Sequence, residues 1–228
     1  MKFTSSVIAA ASGSVGGLVF SRNRYGQYTR VRAVPVNPRT LQQGVVRGAL
    51  ATLVARWTSI LTPAQRLTWE TWATNTPQTD SLGNAITITG QNAFVMMNSP
   101  RIQTALAVID VAPVVFANGV LSPPTLISAT DAAEALSIGF TNTDVWAGAV
   151  GGRLLIYSGR PQNPSKLFFA GPYRLAGFIA GAVVPPTSPL TVTAAFAFAA
   201  GQRVHVRFRA LNADGRISTS WRASSVAV

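Results

Sequence analysis

Five arginines, Arg22, Arg24, Arg30, Arg32 and Arg39, and two tyrosines, Tyr25 and Tyr28, lie between positions 22 and 39 with no acidic residue among them. Their chemistry is anion recognition. A guanidinium grips carboxylate or phosphate with a planar fork, and a tyrosine between arginines adds a stacking surface. The asymmetry runs further. No acidic residue precedes Glu70, whereas Lys2, Arg22, Arg24, Arg30, Arg32, Arg39, Arg47, Arg56 and Arg66 do. A stretch of one sign repels itself unless it meets a partner of the other sign. The five arginines and two tyrosines are therefore the expected partner-binding site. The competing reading is a solvated edge hairpin whose charges prevent aggregation.

Residues for catalysis are sparse. His205 is the single histidine, and its place beside Arg207 and Arg209 on the polar side of a predicted strand reads as a surface imidazole. The seven carboxylates, Glu70, Asp80, Asp110, Asp131, Glu134, Asp144 and Asp214, are scattered. Asp131 and Glu134 are closest together but flank a strand start. No His, Asp or Glu spacing matches a metal site, and no cysteine exists to supply a thiolate or disulfide. Gly13, Gly16 and Gly17 lack the Lys-Ser/Thr of a phosphate loop and fit an uncharged arm over residues 4–17. The chain is expected to be no enzyme, with no catalytic residue, metal or cofactor.

The elements that must position the arginines follow from pattern. Leu18–Ser21 and Gln27–Arg32 flank a turn containing Asn23 and Gly26, which predicts a β-hairpin. Strand alternation places Tyr28, Arg30 and Arg32 on one face. Thr40 with Gln43, and Thr62 with Gln65 with Pro63 at the first helical position, are capping boxes that start two helices. Val46, Leu50, Leu53, Trp57 and Ile60 form the apolar stripe of the first. Leu67, Trp69 and Trp72 are the apolar positions of the second, and the tryptophans read as core. A strand over 85–89 and a short helix from Gln91 to about Met97 complete this part.

Pro113 and Pro123-Pro124 mark a boundary. Beyond it the pattern is all strand. Leu136, Ile138 and Phe140 alternate with small residues, 153–158, 166–170 and 190–198 are strand candidates, and Val204, Val206, Phe208 and Ala210 alternate with His205, Arg207 and Arg209. Asn212–Gly215 is a turn before a last strand over 217–226. Two domains are expected: 1–112, an α+β part of hairpin and helices, and 121–228, an all-β sandwich. Nearly half the residues are apolar, so both can bury a core. Of nineteen basic residues only Lys2 and Lys166 are lysine, which suits bidentate ion pairs or a preference for Arg codons. Val7–Ala11 is interrupted by Ser12, Gly13 and Ser14, so an unprocessed start is expected. No apolar run is long enough for a transmembrane helix.

Two resemblances follow from quoted residues. Arg203-Val204-His205-Val206-Arg207-Phe208-Arg209-Ala210-Leu211-Asn212-Ala213-Asp214-Gly215-Arg216-Ile217-Ser218 resembles the penultimate strand and turn of fibronectin type III domains, and Leu136–Phe140 resembles their second strand. Phe140 and Val204 stand where that family usually carries tryptophan and tyrosine. The resemblance implies a fibronectin III or immunoglobulin-like sandwich over 121–228. Gly16-Gly17, then Ser21-Arg22-Asn23-Arg24-Tyr25-Gly26-Gln27-Tyr28-Thr29-Arg30-Val31-Arg32, then Pro35-Val36-Asn37-Pro38-Arg39-Thr40 and Gln43, are similar to uncharacterised proteins of tailed phages and bacterial genomes, which implies a virion structural protein of capsid, neck or tail. Its expected partners are virion proteins with acidic surfaces, met in a homo-oligomeric or symmetric assembly, with no membrane. Two further readings stand beside this one: a nucleic-acid-binding protein using the same arginines, and a secreted surface or carbohydrate-binding module.

Overall fold

The computed structural model describes residues 11–23, 26–37, 39–79 and 83–228. Three α-helices and twelve strands in four antiparallel sheets give a mixed α+β fold among these residues. The chain divides into two compact units, Met1–Gln43 and Gly44–Val228.

The first unit is a three-stranded sheet of β1 (Gly13–Val15), β2 (Leu18–Asn23) and β3 (Gly26–Val31) in that order. The hairpin is β2 and β3. The uncharged arm contributes a strand of its own where it is described: Ser14 pairs with Val19, and Val15 with Leu18. Gly16, at φ +56°, supplies the left-handed residue that this tight turn needs.

The helices follow, and all but the first three residues of the first one belong to the second unit. At the start of α1 (Leu41–Ser59) the Gln43 amide donates to Thr40 Oγ1 at 3.3 Å. In α2 (Pro63–Asn75) both halves of the Thr62–Gln65 box form, with Pro63 in the first helical turn. The short strands β4 (Gln78–Thr79) and β5 (Ala85–Ile86) pair, so the strand expected over 85–89 is only two residues long. In α3 (Gly90–Gln103), Thr89 Oγ1 accepts from the Asn92 amide at 3.2 Å. This helix outlasts its expected end at Met97. Burial of Asn98, Pro100 and Arg101 carries it on, and Asn98 Nδ2 donates to the Phe94 carbonyl at 3.1 Å.

Trp57, Trp69, Trp72, Leu53, Phe94 and Met97 form the core of the helices, in line with the tryptophan pattern. Trp69 meets Phe94 edge-on, with ring centroids 5.3 Å apart. The expected apolar stripe is buried only in its middle. Leu53 and Trp57 join the core, while Val46, Leu50 and Ile60 are exposed, as is Leu67 on α2.

The remaining strands form two sheets. One runs β10 (Leu190–Thr193), β7 (Ala135–Gly139), β6 (Thr125–Thr130). The other runs β12 (Trp221–Val226), β11 (Arg203–Leu211), β8 (Arg153–Gly159), β9 (Tyr173–Ala180). A single buried cluster draws Ala129, Leu136 and Ile138 from the first and Leu154, Ile156, Val206 and Phe208 from the second. The last strand starts at Trp221, four residues later than expected, because Ile217 and Ser218 fold back on the end of β11. The strand expected over 166–170 is a loop. Asn163 starts a turn there, with its carbonyl accepting from the Lys166 amide at 2.9 Å, and Phe169 folds onto Gly159 and His205. The pairing role passes to β9 instead.

The outer face of the four-stranded sheet is partly covered by the helices. Leu155, Leu211 and Ile217 pack with Met96 and Leu106. Arg101, 6 % exposed, spans the junction: Nε donates to the Ala107 carbonyl at 2.8 Å and Nη1 to the Ala213 carbonyl at 3.0 Å.

Candidate partner-binding surface

The hairpin register decides which expected site residues share a face. Residues directly opposite in an antiparallel pair point the same way. Ser21 opposes Tyr28 and Val19 opposes Arg30, so Tyr28 and Arg30 share one face. Beyond the end of β3 the Arg32 amide still donates to the Gly17 carbonyl at 2.8 Å, which continues the pairing. Arg22 opposes Gln27 and belongs to the other face, with Val15, Leu18, Phe20 and Val31. Arg39 lies past the sheet at φ 48°, its amide donating to Asn37 Oδ1 at 3.3 Å. Arg24 and Tyr25 lie outside the described residues. The structure thus brings Tyr28 and Arg30 together, and it separates Arg22 from them by the thickness of the sheet.

Burial adds what alternation alone does not show. None of the residues of this unit whose burial is described is buried. Arg22, Arg30, Arg32 and Arg39 are exposed, and so are Val15, Leu18, Val31, Val34 and Val36. One face of the sheet is polar and cationic. The other is apolar, with Arg22 at its end. Apolar side chains left in water with the Arg22 guanidinium at their end form a surface suited to a partner that is apolar in part and acidic in part.

Five carboxylates are engaged elsewhere, among them Asp131, whose Oδ2 accepts from the Ala200 amide at 3.2 Å. Glu70 accepts from the Gly90 amide at 2.9 Å, at the start of α3. Asp144, buried, accepts from the Ser122 amide and hydroxyl. Asp110 pairs with Arg56 at 2.6 Å, and that hydrogen bond holds the Asp110 carboxyl below the usual range. Asp214 pairs with Arg216 at 2.7 Å. Among the described residues no three His, Asp or Glu side chains stand together as metal ligands, and no helix is long and apolar enough to cross a membrane.

No protein-family model, curated protein or solved structure matches this chain.

A second basic surface lies on the outer face of the four-stranded sheet, and the expectation of a surface imidazole at His205 is corrected there. His205 is 4 % exposed. Its ring stacks on Phe169 at 5.5 Å, and Nε2 is 3.0 Å from the Lys166 carbonyl. Burial lowers its pKa, partly opposed by that hydrogen bond. The alternation of His205, Arg207 and Arg209 identifies their shared face. It does not show that residues 166–169 fold over it, because no local pattern encodes a loop crossing a sheet.

Proposed function

We propose that the chain is a non-enzymatic structural protein of a tailed-phage-like virion, anchored by residues 11–43 to an acidic neighbour. The observation that carries this reading is the absence of described buried residues in the first unit, beside the exposed apolar face of its sheet. A small sheet with no core among its described residues is marginal in water and gains stability from what it docks against. Arg30 and Arg32 supply charge on one side. Val15, Leu18 and Val31 supply apolar contact on the other. The exposed Val46, Leu50 and Val54 on α1 are further apolar positions available for assembly.

For residues 121–228 the finer proposal is a fibronectin III-like module that projects or packs between subunits. The strand order supports it. Counted from β6, the first, second and fifth strands form one sheet, and the third, fourth, sixth and seventh form the other. The seven-stranded immunoglobulin sandwich sets its first, second and fifth strands against its third, sixth and seventh in the same way, and differs in placing the fourth with the first sheet, whereas here it joins the sheet of the third. Asn212–Gly215 forms a turn closed by the Gly215 amide on the Asn212 carbonyl at 3.0 Å.

The test is incorporation into particles. Replacing Arg22, Arg24, Arg30 and Arg32 by Ser, and separately Val15, Leu18 and Val31 by Ser, should each abolish co-purification with the assembly while the isolated chain keeps its melting temperature. Variants that assemble normally would overturn the anchor. The second reading, nucleic-acid binding, is favoured by the lack of any acidic residue before Glu70. It predicts that affinity for DNA falls log-linearly with salt, whereas an apolar-backed protein contact weakens far less.

A further inference from the structure

Arg207 on β11 and Arg222 on β12 are directly opposed in the sheet register. Opposed residues have Cα atoms about 5 Å apart and side chains on one face. Two like charges in that position repel. No carboxylate pairs with either: the ion pairs among the described residues are Arg56–Asp110 and Arg216–Asp214.

Aromatic rings hold the two guanidinium groups in place. Arg207 lies over Tyr157 at 4.9 Å and over Tyr173 at 5.2 Å, and Arg222 over Phe168 at 5.5 Å. Arg207 Nε is buried with no hydrogen-bond partner among the described residues. Arg222 is exposed, and Phe168 is 66 % exposed. Beside them a cavity of about 200 Å³ is lined by Phe168, Tyr173, His205, Arg222 and Ser224 among others. The cavity therefore offers the Arg222 guanidinium and the Ser224 hydroxyl, which itself accepts from Arg203 Nη1 at 3.2 Å, beside aromatic rings, and Arg207 stands outside its lining, next to Arg222 in the sheet.

We propose that Arg207, Arg222 and Ser224 form an oxyanion site for a phosphate or sulfate group carried on an apolar or aromatic body. A tetrahedral dianion between two guanidinium groups would replace their repulsion with charge-assisted hydrogen bonds. The rings of Phe168 and Tyr173 would cover the carrier. A dianion suits two cations better than the single charge of a phosphodiester does, so the site favours a terminal monoester over a nucleic-acid backbone. This inference is independent of the anchor in residues 11–43.

The test is titration of the full chain with phenyl phosphate, inorganic phosphate and dimethyl phosphate, followed by amide chemical shifts. Phenyl phosphate should bind most tightly, inorganic phosphate more weakly and dimethyl phosphate least, with shifts centred on Phe168, Arg222 and Ser224. Arg222→Gln should weaken phenyl phosphate about tenfold or more, the equivalent of one lost charge-assisted hydrogen bond. Arg222→Glu should abolish binding and raise the melting temperature of the free protein, because it replaces repulsion with an ion pair to Arg207. This second readout separates loss of a site from loss of the fold. Inorganic phosphate binding as tightly as phenyl phosphate would overturn the aromatic carrier. No binding by the native chain, unchanged affinity in Arg222→Gln, or a lower melting temperature in Arg222→Glu would overturn the site.

Discussion

Replacing Arg101 by Met tests whether helices and sheets melt together. Methionine keeps the apolar length of the stem and removes the guanidinium. Two hydrogen bonds are lost, to the Ala107 carbonyl at 2.8 Å and to the Ala213 carbonyl at 3.0 Å. Bonds from a charged donor contribute about 1.5–3 kcal/mol each. Part of that is returned, because burying a charge without a directly paired carboxylate is itself costly. Burial indeed lowers the Arg101 pKa. The net expectation is a loss of about 2 kcal/mol. For a unit of this size that corresponds to about 4–8 °C in Tm. Differential scanning calorimetry would show one transition, shifted down. An unchanged or higher Tm would mean that the carbonyls find water at no cost. Two separate transitions in the native chain would mean that Arg101 couples nothing.

Three further outcomes are expected. Gly90→Ala should destabilise the chain by about 1–3 kcal/mol in urea, because a Cβ there would sit 2.7 Å from the Glu70 amide nitrogen and push α3 away from α2. Residues 121–228 expressed alone should give dispersed, protected amide signals, since their largest buried cluster closes within that range, but with a lower Tm than the full chain, because Leu155 and Leu211 lose Met96 and Leu106. His205, whose pKa is lowered by burial and by the cations Arg203 and Lys166, contributes stability that is present above the ordinary His value of about 6.5 and is lost as pH falls below it. His205→Gln should flatten Tm between about pH 7 and pH 5, and an equally steep decline in that variant would locate the titration elsewhere.

The Thr40 cap, without the reciprocal Gln43 bond, the full capping box at Thr62, the hairpin and the apolar spacing of the tryptophans are legible in the sequence because each rests on residues close together in the chain. The β11 strand is legible from its alternation. What escapes depends on distant chain. The extension of α3 past Met97 relies on burial of Pro100 and Arg101, and the Arg101 hydrogen bond reaches the carbonyl of Ala213. Strand β9 escapes because its burial does not alternate cleanly, and residues 166–170 carry apolar side chains that pack as a loop. At the hairpin, the residue types mark the surface, but only the register separates Arg22 from Arg30. The opposition of Arg207 and Arg222 likewise needs the pairing of β11 with β12.

The lack of described buried residues in the first unit has a bearing on how such a chain can change over generations. Substitutions at Val15, Leu18 or Val31 disturb no described interior, so under the proposed anchoring role they would retarget attachment while residues 44–228 fold as before. Attachment and thermal stability are then inherited through separate sets of positions. A mutational scan scored by melting temperature would pass over the residues proposed to anchor the protein, and only selection for assembly would reveal them.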